Sequence, residues 1–157
     1  MSDSSPADCI FCRILAGEAP ASFVHRDARV SAFLDIQPVN AGHLLVVPNQ
    51  HAALVTELDP ETAGRMLQVA AGLDAALRAS GLRCEAVNLF LADGEEAGQE
   101  VFHSHLHVLP RFAGDGFGLR FGPSYGQQPP REELERVAAR IRAAGIDLGQ
   151  GRFADRP

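Results

Sequence analysis

The sequence predicts an α+β fold, an antiparallel sheet of about five strands with one long helix and a second helix near the carboxy terminus. Three observations carry this. Short runs rich in β-branched and aromatic residues are separated by Gly, Pro, Asn and Asp turns, mostly too short for helical crossovers. One segment, from Asp59 to Gly81, repeats its apolar residues with the helical period. Finally, His103-Ser104-His105-Leu106-His107 sets histidine at every second position of an apolar stretch, the alternation of a strand.

Taken in chain order, residues 1–7 are polar and proline-containing and read as a flexible terminus, with order beginning near Cys9. Arg13 to Gly17 reads as a short helical turn stopped by glycine, and Ser22–Arg26 with Val30–Asp35 as a hairpin. His43–Pro48 follows the turn residues Pro38, Asn40 and Gly42, and its unbroken apolar run predicts burial on both faces. Asp59 and Pro60 are a strong helix start, as N-cap and first helical residue. Met66, Ala70, Leu73 and Leu77 then mark one apolar face, and Gly81 supplies the stop. This helix is expected to cover the sheet, with the helices packed on one side of it.

Strands are expected over residues 85–91 and 101–109, joined by the loop 92–99. Residues 113–130 are rich in Gly and Pro and read as a surface excursion, before a helix from Arg131 to Ala144 with Leu134, Val137, Ala138 and Ile141 on one face. Residues 8–112 are thus the expected core, and 113–157 a carboxy-terminal extension of the same domain.

Composition limits the function classes. A chain of 157 residues with 46% hydrophobic content suits one domain that buries its own core. No apolar run is long enough to span a membrane, and Met1–Pro6 lacks the pattern of a signal peptide, so a cytoplasmic protein is expected. A net charge of −6 without any basic run argues against a nucleic-acid surface. A small anion can still be held by backbone N–H groups and imidazoles. The three cysteines are an odd count, and Cys9-Ile10-Phe11-Cys12 fits a metal knuckle better than a disulfide framework. Cys84 is expected to be buried and inert.

On a strand, His103, His105 and His107 would share one face with Cα atoms roughly 7 Å apart. That arrangement suits a metal ion or an assisted nucleophile, and the bland alternative is three solvent-facing histidines. A neutral imidazole is a competent nucleophile near pH 7. Equally, His103 and His105 together could reach one catalytic metal. Cys-x-x-Cys has three readings of its own: half of a tetrahedral zinc site, a redox pair lacking its usual βαβ context, or simple packing. Asp35 is either an acceptor for vicinal hydroxyls or a turn residue before Pro38. His25 and His43 have no partner motif and read as structural or surface residues.

The stretch Ala97-Gly98-Gln99-Glu100-Val101-Phe102 followed by His-x-His-x-His resembles the histidine triad (HIT) superfamily. The resemblance extends through Cys9–Ile14, Ala32–Ile36, Gly42–Pro48 and His51, about residues 8–112, and is nearest to bacterial Hint-like members with a cysteine pair. It implies the HIT-like fold and hydrolysis of purine nucleoside phosphoramidates through a nucleotidyl-histidine intermediate. Within it, His105 would be the nucleophile and His107 its helper at the phosphate or leaving group. Cys9, Cys12, His51 and His103 would hold a structural zinc ion. Asp35 would bind ribose, Ile10, Phe11, Ile14, Phe33 and Ile36 would surround the base, and Gly98 and Gln99 would meet the phosphate. The resemblance also implies a homodimer. Two departures stand out, Ala92 where many Hint-type proteins carry asparagine and Glu100 where they carry serine. Alternative readings are a dinucleoside polyphosphate hydrolase and, in another class, a nucleotide-binding module with little turnover.

Overall fold

In a computed structural model, which describes residues 8–145, the expected hairpin is formed by β1 (Phe23–Arg26) and β2 (Val30–Leu34), paired antiparallel. Asp27 makes the turn. One carboxylate oxygen accepts from the backbone N–H groups of Arg29 and Val30 at 2.8 and 2.9 Å, and the other from His25 Nε2 and Arg65 Nε, each at 2.8 Å. Burial pushes this carboxyl upward, but the bonds from His25, Val30, Arg29 and Arg65 outweigh it and hold Asp27 well below the usual carboxylate range. His25 is thereby a structural residue.

The third strand, β3 (Leu44–Pro48), is buried throughout, as its continuous apolar run requires. It pairs antiparallel with β2 on one side and with β5 (Leu106–Arg111) on the other, and β4 (Ala86–Phe90) closes the sheet by pairing with β5. The strand order is β1-β2-β3-β5-β4.

The long helix α2 (Pro60–Ala79) starts where Asp59 accepts the Thr62 N–H at 2.9 Å, with Pro60 at the first helical position. Its Met66, Val69, Ala70 and Leu77 pack on Val30, Ala32, Leu44, Val46 and Val108, the alternate residues of three strands. Gly42, in the turn before β3, has φ +94°, and a Cβ there would stand 2.9 Å from the side chains of Leu77 and Leu82. Glycine is required twice over, by conformation and by space.

Two expectations are corrected in this unit. A short helix, α1 (Ile10–Leu15), begins three residues before the predicted turn, because Phe11 and Ile14 bury together against Phe33, Leu45 and Val47. This face of the sheet is therefore covered as well, and helices do not pack on one side alone. Strand β5 begins at Leu106 rather than Val101. The Ser104 N–H is spent on the Ala52 carbonyl and the His103 carbonyl on the His105 ring, so neither enters a ladder.

A second compact unit begins at Gly118 and carries the expected final helix, α3 (Arg131–Ala143). None of the helix residues is buried, and Leu134, Val137 and Ile141 stand exposed. Among the described residues, no helix is long and apolar enough to cross a membrane.

Candidate active site and metal centre

Cys9 caps α1 and Cys12 lies three residues on, so the helix brings both thiols to one side. His51 follows β3, and His103 precedes β5. The Sγ and ring-nitrogen atoms of these four residues all lie within 4.8 Å of one another. Cys9 Sγ is 3.4 Å and Cys12 Sγ 3.6 Å from His103 Nδ1, while Cys12 Sγ is 3.3 Å from His51 Nδ1. On a tetrahedral zinc ion a thiolate and an imidazole nitrogen stand about 3.6 Å apart, so these separations are the edges of such a tetrahedron.

The protonation pattern fits the same ion. His103 Nε2 donates to the Pro48 carbonyl at 2.9 Å, which leaves the Nδ1 lone pair toward the sulfurs. Burial pushes His103 down to about 4, keeping it neutral as a ligand must be. Burial, followed by Cys9, pushes the Cys12 thiol up to about 11, a cost that a divalent cation between the sulfurs reverses.

Beside this cluster lies a cavity of about 650 Å³. Ile10, Phe11, Ile14, Phe33 and Ile36 line it, joined by Asp35, Gly98, His105 and His107. Gln99 does not. It is 4% exposed, accepts from Gly94 N–H and donates to the Ala53 and Val101 carbonyls, so its amide braces the loop. Gly98 adopts φ +87° at the end of a short turn, a conformation that favours glycine.

Hydrogen bonds assign the imidazole protons. His105 Nδ1 donates to the His103 carbonyl at 2.7 Å, so Nε2 keeps its lone pair. The Val39 N–H donates to His43 Nδ1 at 3.2 Å, which puts the His43 proton on Nε2, 2.8 Å from the acceptor His107 Nδ1. His107 in its neutral form therefore carries its proton on Nε2. Burial lowers all three rings below the usual histidine value, His107 to about 4.

Asp35, His43 and His107 also form a group whose ligand atoms lie within 4.8 Å of each other. The 2.8 Å between the two rings is a hydrogen-bond distance, shorter than the roughly 3.3 Å between two nitrogens on a tetrahedral ion. His43 and His107 are a proton-linked pair, with Asp35 Oδ2 3.6 Å from His43 Nε2.

His43 is the cavity-lining residue that motif reasoning missed. It is 4% exposed and bonded to His107, not a surface or isolated structural histidine. A signal was present, since His43 shares strand parity with Leu45 and Val47, which face α1. Leu45 also lies opposite His107 in the ladder. Cys84, expected to be buried, is half-buried, with its thiol donating to the Ala86 carbonyl at 3.4 Å. Of the departures from the Hint-type pattern, Ala92 is buried and Glu100 lines the cavity. Asn88 is bonded to Arg111.

The HIT domain profile matches residues 16–114. A HIT family protein from Bacillus anthracis has the same architecture at a TM-score of 0.81, with 36% identity over 94% of this chain and all of that one. A zinc-bound histidine triad family protein from Mycobacterium smegmatis aligns at a TM-score of 0.69, 38% identical over 89% of this chain and 99% of that chain. An adenosine 5′-monophosphoramidase of Schizosaccharomyces pombe is 35% identical over 134 residues, which is 85% of this chain and 95% of that protein. With the matched profile spanning all six histidines and every strand of the sheet, the chain belongs to the HIT family.

Proposed function

We propose that the protein is a Hint-like nucleotidyl hydrolase that cleaves purine nucleoside phosphoramidates through a nucleotidyl-His105 intermediate. The observation that carries this reading is the tautomer of His105. Its Nδ1–H is held by the His103 carbonyl, and the ring lines a cavity large enough for a nucleotide, so Nε2 is a prepared nucleophile.

In this reading the base lies among Phe11, Ile14 and Phe33, a slot without charged or amide readers that favours purines for their area over one purine in particular. Asp35 takes the ribose hydroxyls. One of its oxygens already accepts the Gln37 N–H at 2.8 Å, which fixes its orientation. His105 Nε2 attacks the α-phosphorus, and the phosphorus–nitrogen bond to the leaving amine breaks. The anionic phosphoryl group favours uptake of one proton by the linked His43–His107 pair, at His43 Nδ1 in exchange for the Val39 bond; His107 Nε2 then passes a proton to the departing nitrogen as His107 Nδ1 takes the one from His43 Nε2. Water then attacks the nucleotidyl-histidine, returns a proton to the pair and frees His105.

Zinc in the Cys9, Cys12, His51 and His103 cluster would be structural, its chemistry confined to tying α1 to the segment that carries His105. We further infer a homodimer formed through β4, the edge strand whose Leu89 and Phe90 are 42% and 39% exposed. Ligand thiols suit a cytoplasmic setting.

Rapid quenching of turnover on adenosine phosphoramidate, followed by peptide mass mapping under mildly basic conditions, is expected to find an acid-labile adenylyl group on His105. Full turnover without an adduct on any histidine would overturn the reading. The pH profile supplies a second test. Only neutral His105 attacks, and burial lowers its pKa, so kcat/KM should hold its plateau below the ordinary histidine value of about 6.5. An acid limb centred at or above that value would contradict the buried, neutral nucleophile.

A further inference from the structure

We propose that Glu100 makes the cavity select a leaving group that bears positive charge, such as an amine whose arm ends in an ammonium or guanidinium, and reject anionic ones. The inference rests on the reading of His105 as nucleophile toward nucleoside phosphoramidates.

Phosphoryl-binding sites ordinarily supply Arg, Lys or a metal ion to the phosphate oxygens. Among the described residues lining this cavity there is no Arg or Lys, and the charged side chains are the carboxylates of Asp35 and Glu100. The sequence contains no lysine, so arginine is the only permanently charged cationic side chain. Elsewhere in the fold, Arg65 pairs with Asp27, Arg29 with Asp59 and Glu61, and Arg111 with Asp115, while Arg26 donates to the Leu15 carbonyl. What remains for an anion is the imidazoles and the backbone around Gly98, enough for a single phosphoryl group. A second or third phosphate in the leaving group would meet carboxylate and no cation.

The two carboxylates have different employment. Asp35 is oriented by the Gln37 N–H and stands 3.6 Å from His43, on the side assigned to ribose. Glu100 is exposed, and among the described residues it has no hydrogen bond or ion pair. It stands on the segment that leads directly into His103, His105 and His107, and its charge is felt at the His105 ring. An uncommitted carboxylate beside the reacting centre attracts a cation there and repels an anion, by an amount that falls with salt.

The test uses three adenosine 5′-phosphoramidates whose leaving amines have arms of equal length, ending in ammonium, methyl or carboxylate. In the full-length protein, kcat/KM is expected to favour ammonium over carboxylate on the order of tenfold or more at low salt. Glu100→Gln should bring this ratio close to one, and Glu100→Arg should invert it. Because ratios are taken within each variant, a general loss of activity cancels. An unchanged ratio in Glu100→Gln overturns the inference. Binding of non-hydrolysable adenosine 5′-carbamates with the same three arms separates the two readings. Glu100-dependent preference for the ammonium arm without turnover of any phosphoramidate would sink the hydrolase and keep the charge selection. Turnover with no Glu100-dependent preference would do the reverse.

Discussion

His105→Ala is expected to lower kcat/KM for adenosine phosphoramidate by at least about 10³-fold, on the order of 4 kcal/mol of transition-state stabilisation. The reason is specific to this site. Removing the ring forces direct attack by water on the substrate and forfeits the covalent step that divides the displacement in two, even with the His43–His107 pair still lining the cavity. Binding should change far less, because base and ribose contacts do not pass through His105, so product affinity should stay within a few-fold. The metal cluster should also survive, since His103 keeps its bond to the Pro48 carbonyl. His107→Ala makes the contrast. It removes the donor and keeps the nucleophile, so the adduct still forms, more slowly. Stereochemistry supplies an independent reading, because two in-line displacements retain configuration at a P-chiral substrate and one inverts it. Inversion, or a His105→Ala enzyme within tenfold of wild type, would contradict covalent catalysis by this residue.

What the sequence could reveal of this machinery depended on how local its cause was. The start of α2 was legible because Asp59 and Pro60 act within a single turn, and β3 because a run from Leu44 to Val47 has few other uses. The cysteine pair was legible through its spacing, which a helical turn converts into two thiols on one side. The onset of β5 was not. Alternating histidines look like strand, but backbone groups at His103 and Ser104 are diverted to a ring and to Ala52, and those partners are set by tertiary contacts. His43 was missed for the same reason. Its bond to His107 spans 64 residues and exists only once β3 lies beside β5. The site's pattern of charge was equally hidden, because a count of −6 says nothing about which carboxylates face the cavity and which arginines are engaged.

Loss of the metal is expected to have the largest effect on stability. The purified protein should contain about one zinc ion per chain, and Cys12→Ala should lose it while Cys84→Ala keeps it. Structural zinc contributes roughly 10 kcal/mol or more in domains that depend on it for folding. This chain has an independent core beneath α2, so a smaller loss, about 3–6 kcal/mol, is expected, equivalent to a fall in Tm of about 10–20 °C. The direction with pH follows from the ligands. Thiolates must form for zinc to bind, and without metal the Cys12 thiol sits at about 11, so binding releases protons and the stabilisation fades as the solution is acidified. Cobalt substitution should give the visible spectrum of a tetrahedral thiolate site, and Cys12→Ala should abolish it. The consequence for catalysis is indirect. His103 belongs to the cluster that would hold the metal, and its carbonyl fixes the His105 tautomer, so metal loss should weaken that orientation and reduce kcat more than nucleotide affinity. A chelated protein with unchanged Tm would make the cluster a packing feature, and the orientation of His105 would then rest on the Pro48 and Ala52 bonds alone.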